Sequence, residues 1–137
     1  MIRHLTSESN YNSIIQDEII KKREKDGRDK GTISFEILNE NNIFVNLYKS
    51  GRKNLKAGEK IVGIIIDDEE LIEAGVSIYY TDSSSINSRQ RSKYTTKFEN
   101  LCFYVGNELD QDYIKIGEYA HVEGDIPISF IKRVEFY

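Results

Sequence analysis

The chain has 137 residues, 39% of them apolar, with a formal net charge of −4. That length and that apolar share predict one domain, residues 1–137, with one core. The acidic balance excludes a protein that coats nucleic acid with its whole surface, while a local basic patch stays compatible with it. No run of about 18 apolar residues exists, and the N-terminus lacks the order of charges of a signal peptide, so the expectation is a cytoplasmic protein with no membrane partner.

Ile2, His4 and Thr6 alternate on a first strand. Ser7 or Ser9 then caps a helix in which Tyr11, Ile14, Ile15 and Ile19 recur at helical spacing, with Glu8 near the start and Lys21, Lys22 and Arg23 near the end. The spacing predicts a helix of roughly 15 residues. After a charged, glycine-bounded break at 27–31, Ile33, Phe35 and Ile37 alternate as a strand. Ile43, Val45 and Leu47 alternate beyond the polar turn 39–42, which predicts a hairpin. Ala57-Gly58 makes a turn before residues 61–66, whose β-branched run predicts a strand buried on both faces.

Asp67 or Asp68 caps one helical turn, which Gly75 ends, and Val76, Ile78 and Tyr80 resume strand alternation. Residues 82–97 are serine-rich and nearly devoid of apolar side chains, with Arg89, Arg91, Lys93 and Lys97 set against Asp82. They read as a long loop. Strands return at 101–105, 113–122 and 132–136, and Glu123 precedes Gly124-Asp125 as part of a turn. The fold class is α+β, a β-rich body with one principal N-terminal helix.

Glu118 shares a strand face with Ile114, Ile116, Ala120 and Val122, because side chains alternate with period two. A carboxylate on an apolar face needs hydrogen bonds, a cation or a proton, which makes it a candidate functional group. His4 occupies the analogous position among Ile2 and Thr6, where a structural histidine is the commoner meaning. His4, His121 and Cys102 lack ligand spacing, so no metal is expected. Cys102 reads as a small buried hydrophobe in its strand. No nucleophile elbow and no phosphate-cradling glycine loop is present.

His4-Leu5-Thr6-Ser7, with Asn10, Ser13-Ile14-Ile15 and Ile19-Ile20, resembles the first strand and helix of ADP-ribosyltransferase-fold proteins. The stretch from Glu118 to Ile131, with Ile126-Pro127, resembles the end of that fold in bacterial toxins that ADP-ribosylate DNA and in their relatives. Together they cover about a third of the chain, at its two ends. The resemblance implies a split, bent, mainly antiparallel β core that binds NAD in its cleft. His4 and Thr6 would bind the cofactor, His4 at the nicotinamide-side ribose. Glu118 would be catalytic, holding the ribose 2′-hydroxyl and stabilising the charge that develops as nicotinamide leaves. Tyr48, Tyr79 and Tyr80 are the candidates to stack on nicotinamide, and Arg52, ahead of Arg28, to hold the cofactor.

Arginine-modifying members carry Glu or Gln two residues before the catalytic glutamate, where this chain has Ile116, so arginine is disfavoured as acceptor. Arg89, Arg91, Lys93 and Tyr94 would contact a nucleic-acid acceptor through phosphate and base. The function expected is an NAD-dependent ADP-ribosyltransferase of toxin or phage conflict, acting on nucleic acid or protein. The alternative is a non-enzymatic inhibitor, immunity or anti-defence protein that binds a partner protein.

Overall fold

The computed structural model describes residues 1–38, 45, 56, 58–81, 101–103 and 119–137. β1 (Ile2–Ser7) leads directly into α1 (Glu8–Asp17) and then the short β2 (Ile19–Ile20). β3 (Thr32–Ile37), β4 (Ile61–Ile66), α2 (Asp68–Glu73), β5 (Ile78–Thr81) and β6 (Leu101–Phe103) follow. β7 (Tyr119–Glu123), β8 (Ile126–Pro127), a 3-10 turn (Ile128–Phe130) and β9 (Ile131–Phe136) complete the described elements.

These strands build a bent seven-stranded sheet in the order β6-β5-β7-β3-β1-β4-β9. Every described pairing is antiparallel except β5 with β6, and β2 with β8 forms a separate two-stranded ribbon. The α+β class with one principal N-terminal helix is what the sequence pattern predicts.

One face of the sheet is the core. Ile2, Ile33, Phe35, Val62, Ile64, Ile66, Ile78, Tyr80, Ala120 and Val122 cluster there with Leu71 of α2 and with Ile20 and Ile126 of the ribbon. All six residues of β4 are buried, as its β-branched run requires of a strand flanked on both sides and covered on both faces. Tyr11 and Ile14 of α1 pack on the same core, half-buried.

The N-terminal helix is shorter than its periodicity predicts, ten residues instead of roughly 15. Glu18 turns left-handed at φ 59°, its N–H bonding back to the Ile14 and Ile15 carbonyls. Ile19 and Ile20 then leave the helical path to pair with Pro127 and Ile126. Burial of Ile20 at the ribbon outweighs continuation of the helix. Glu123 is also corrected: it is the last residue of β7, paired with Thr32, and not part of a turn. β5 begins at Ile78, so Val76 precedes the strand.

α2 forms as its sequence predicts, with the Asp67 side chain accepting from the Glu69 N–H and Gly75 at φ 87° just beyond the end. Of the run 43–47 only Val45 is described, buried with helical backbone. The rest of that expected hairpin, the loop 82–97, residues 104–105 of the expected sixth strand and residues 113–118 of the seventh lie outside the described residues.

Candidate functional site at the fork between the first and third strands

β1 pairs with β4 along its whole length, from Ile2 opposite Ile66 to Ser7 opposite Ile61. With β3 it pairs only at Ile2 and Arg3. β3 turns instead to β7, which it follows from Thr32 to Glu36. The sheet therefore forks after Arg3, and His4 is the first residue past the fork. Its ring repairs the broken ladder: Nδ1 lies 2.8 Å from the Ser34 carbonyl oxygen. A carbonyl only accepts, so Nδ1 carries a proton, and whenever the ring is neutral Nε2 is its acceptor nitrogen. Phe35 holds the ring from the side, with centroids 5.6 Å apart.

An open cleft of about 260 Å3 lies over this point. His4 and Thr6 of β1 form one wall. Asn10, Ser13, Ile14 and Asp17 of α1 form another, and Ile19, Ile20 and Lys21 close the end. Both residues that the sequence singled out on the first strand thus border one space.

The wall made by α1 is fixed at both ends. Ser7 accepts from the Asn10 N–H at 3.2 Å as N-cap. The Glu59 carboxylate accepts from the Ser9 N–H at 2.8 Å and from the Ser9 hydroxyl, which holds its pKa below the ordinary carboxylate value. A carboxylate at a helix N-terminus also suits the helix dipole. At the other end the Glu18 carbonyl accepts from the Ile128 N–H at 3.3 Å, and the Asp125 carboxylate accepts from the Lys22 N–H at 2.8 Å. Asp17 and Lys21 form a 3.7 Å ion pair at the exposed rim. The cleft wall carries hydroxyl, amide and carboxylate groups beside one imidazole, a set that suits the hydroxyls of a sugar.

Tyr79 and Tyr80 do not join this cleft. Tyr80 is on the core face, where its hydroxyl donates to Asp68 at 2.5 Å. Burial, and then the Asp68 carboxylate, raise its pKa. Tyr79 is on the opposite face and donates to Glu123 at 3.0 Å. Glu118, Arg52, Tyr48, Arg89, Arg91, Lys93 and Tyr94 lie outside the described residues.

The second face of the sheet carries a buried polar row that sequence reading missed. Arg3 pairs with Glu36, its guanidinium also reaching the Tyr137 hydroxyl at 2.9 Å. The Glu36 Oε2 atom is buried without a hydrogen-bond partner. Ser34 and Asp29 approach His121 at 3.3 and 3.9 Å, both at Nδ1, so the three do not form a nucleophile relay, which needs the two ring nitrogens to serve different partners. Strict alternation of Thr32, Ser34 and Glu36 with apolar residues was the available signal, but alternation also describes a solvated face. His4 and His121 lie on opposite faces of the sheet, as their registers dictate.

Among the described residues no group of three metal-ligating side chains occurs, and no helix is long and apolar enough to cross a membrane. No protein-family model, curated protein or solved structure matches the chain.

Proposed function

We propose that the chain transfers ADP-ribose from NAD to a macromolecular acceptor, nucleic acid or protein, using the cleft beside His4. The observation that carries this reading is the fork itself. A split in a mainly antiparallel sheet sets an imidazole at the head of a polar cleft, and the Ser34 carbonyl fixes its tautomer with Nε2 as acceptor. An acceptor nitrogen there suits a ribose hydroxyl, which donates.

At about 260 Å3 the cleft is smaller than the range of roughly 300–1,000 Å3 usual for whole organic ligands. It takes the nicotinamide riboside half of NAD, and the adenosine half extends past the Asp17–Lys21 rim. His4 and Thr6 hold the ribose, and Glu118 supplies the catalytic carboxylate. The C1′–nitrogen bond of NAD breaks, nicotinamide leaves with the bonding pair, and the acceptor nucleophile bonds C1′ and gives up its proton. A carboxylate near C1′ stabilises the oxocarbenium-like state between these events. Arg89, Arg91, Lys93 and Tyr94 are the residues proposed to meet the acceptor. Ile116, two residues before Glu118, supports an acceptor other than arginine.

The test is incubation with NAD and separate pools of DNA, RNA and protein, followed by mass detection of added ADP-ribose. Transfer that Glu118→Gln abolishes, with NAD binding retained, is the result expected. Absence of both NAD binding by calorimetry and transfer to every pool overturns the reading.

A further inference from the structure

β9 ends the described strand order and pairs on one side with β4. Tyr137 and Ile61 exchange both backbone hydrogen bonds, at 2.8 and 3.2 Å. By the antiparallel alternation, Glu135 and Arg133 also direct their backbone groups toward β4, opposite Gly63 and Ile65. The N–H and C=O groups of Val134 and Phe136 therefore point away from the sheet, where no described strand meets them, while the register shift between Ile65 and Ile66 takes Lys132 out of this alternation. Lys132, Arg133 and Phe136 are exposed, Phe136 by 50%.

Side-chain charge decides which partner this edge accepts. In a two-fold antiparallel pair centred on Lys132, Arg133 or Glu135, the central residue faces its own copy, which opposes like charges. Centring on Phe136 sets Glu135 opposite Tyr137, with no opposite charge to meet it. Centring on Val134 sets Arg133 opposite Glu135 and Glu135 opposite Arg133, so each charge meets its opposite across the strands. Lys132 then lies opposite Phe136, its stem beside the ring while its ammonium stays paired with Glu70 at 2.5 Å. Within one chain Arg133 and Glu135 already pair at 3.0 Å, so the two copies form a ring of alternating charge on one face.

An apolar strip on the other face adds to this. Tyr11 of α1 meets Phe136 edge-on at 5.9 Å. Ile15, one helical turn further along the same side of α1, is 41% exposed. An edge strand with exposed apolar side chains is a pairing site unless charge forbids it, and here the charges forbid the neighbouring registers and permit one.

We propose that two copies of this chain associate through β9, antiparallel about Val134, to make a sheet continuous across the two-fold axis. The partner is a second copy because the register argument is self-complementary: the same sequence supplies both halves of each opposed pair.

Sedimentation velocity across the micromolar range tests this, with circular dichroism to check folding. The wild-type chain is expected to dimerise. Arg133→Glu and Glu135→Arg each oppose like charges and are expected to weaken the dimer by about tenfold or more, and the double swap to restore it. Val134→Pro removes an outward N–H without touching the ladder to β4, and is expected to give a folded monomer. A wild-type chain that stays monomeric throughout, or a dimer that survives both Arg133→Glu and Val134→Pro, overturns the proposal.

Discussion

Arg3 and Glu36 stand directly opposite one another on β1 and β3 and form an ion pair with 2% and 5% of their side chains exposed. Removing one partner strands the other's charge where water cannot reach it. Arg3→Met is therefore expected to cost about 3–5 kcal/mol in urea unfolding, while Arg3→Met combined with Glu36→Leu recovers most of that loss. A double variant no more stable than the single one would show that the pair itself contributes the stability.

The same carboxylate sets a pH dependence. Burial raises the Glu36 pKa above its ordinary value of 4.5, against the opposing hydrogen bond and charge of Arg3. The folded chain then holds this proton more tightly than the unfolded chain. Stability from this group falls as pH rises from 4.5 to the raised value and returns on acidification through that window. Asp68 works the other way. Burial would raise it, but the Tyr80 hydroxyl and the terminal ammonium together lower it, so its contribution holds above 3.8 and is lost as pH falls through its folded value. Urea midpoints of wild type and Glu36→Gln are expected to change their separation across the first window. A constant separation contradicts the assignment.

Gly63 interrupts the isoleucine run of β4 for a steric reason. A Cβ there would meet Arg3 Cδ at 3.0 Å and a Tyr137 ring carbon at 3.1 Å. Gly63→Ala is expected to destabilise by about 1–3 kcal/mol, because the guanidinium stem is pinned by Glu36 and Tyr137. The measurement is again the unfolding free energy, and the Arg3→Met background should relieve part of the loss.

At the cleft, His4→Ala is expected to weaken NAD binding about tenfold, the worth of one good hydrogen bond. Ser13→Phe fills the same space from α1 and is expected to abolish binding with little change in melting temperature, since Ser13 is exposed. Calorimetric titration with NAD distinguishes the two. Unchanged affinity in Ser13→Phe would remove this cleft from the proposed reaction.

Much of the architecture was legible in the sequence because local signals agreed with the tertiary outcome. The β-branched residues of β4, the Ser7 cap and the Asp67 cap with Gly75 each needed only their neighbours to be read. The end of α1 was not legible: Ile19 and Ile20 satisfy the helical period, and only their pairing with residues more than a hundred positions away draws them into a strand. The site was half legible. Period two assigned His4 and Thr6 to one face, but Asn10, Ser13 and Asp17 look like the wet side of an amphipathic helix until the opposing wall is known. Arg3, Glu36 and His121 escaped for a related reason, since alternating polar residues say which face they share and not whether that face is covered.

The position of β1 governs the order in which this molecule can assemble. Its two neighbours arrive later in the chain, and the short ribbon that steadies the exit from α1 waits for Ile126 and Pro127. Synthesis therefore makes β1 before either strand that flanks it, and the exit from α1 is the part that waits longest, more than a hundred residues, for its partner. Such non-local closure slows folding.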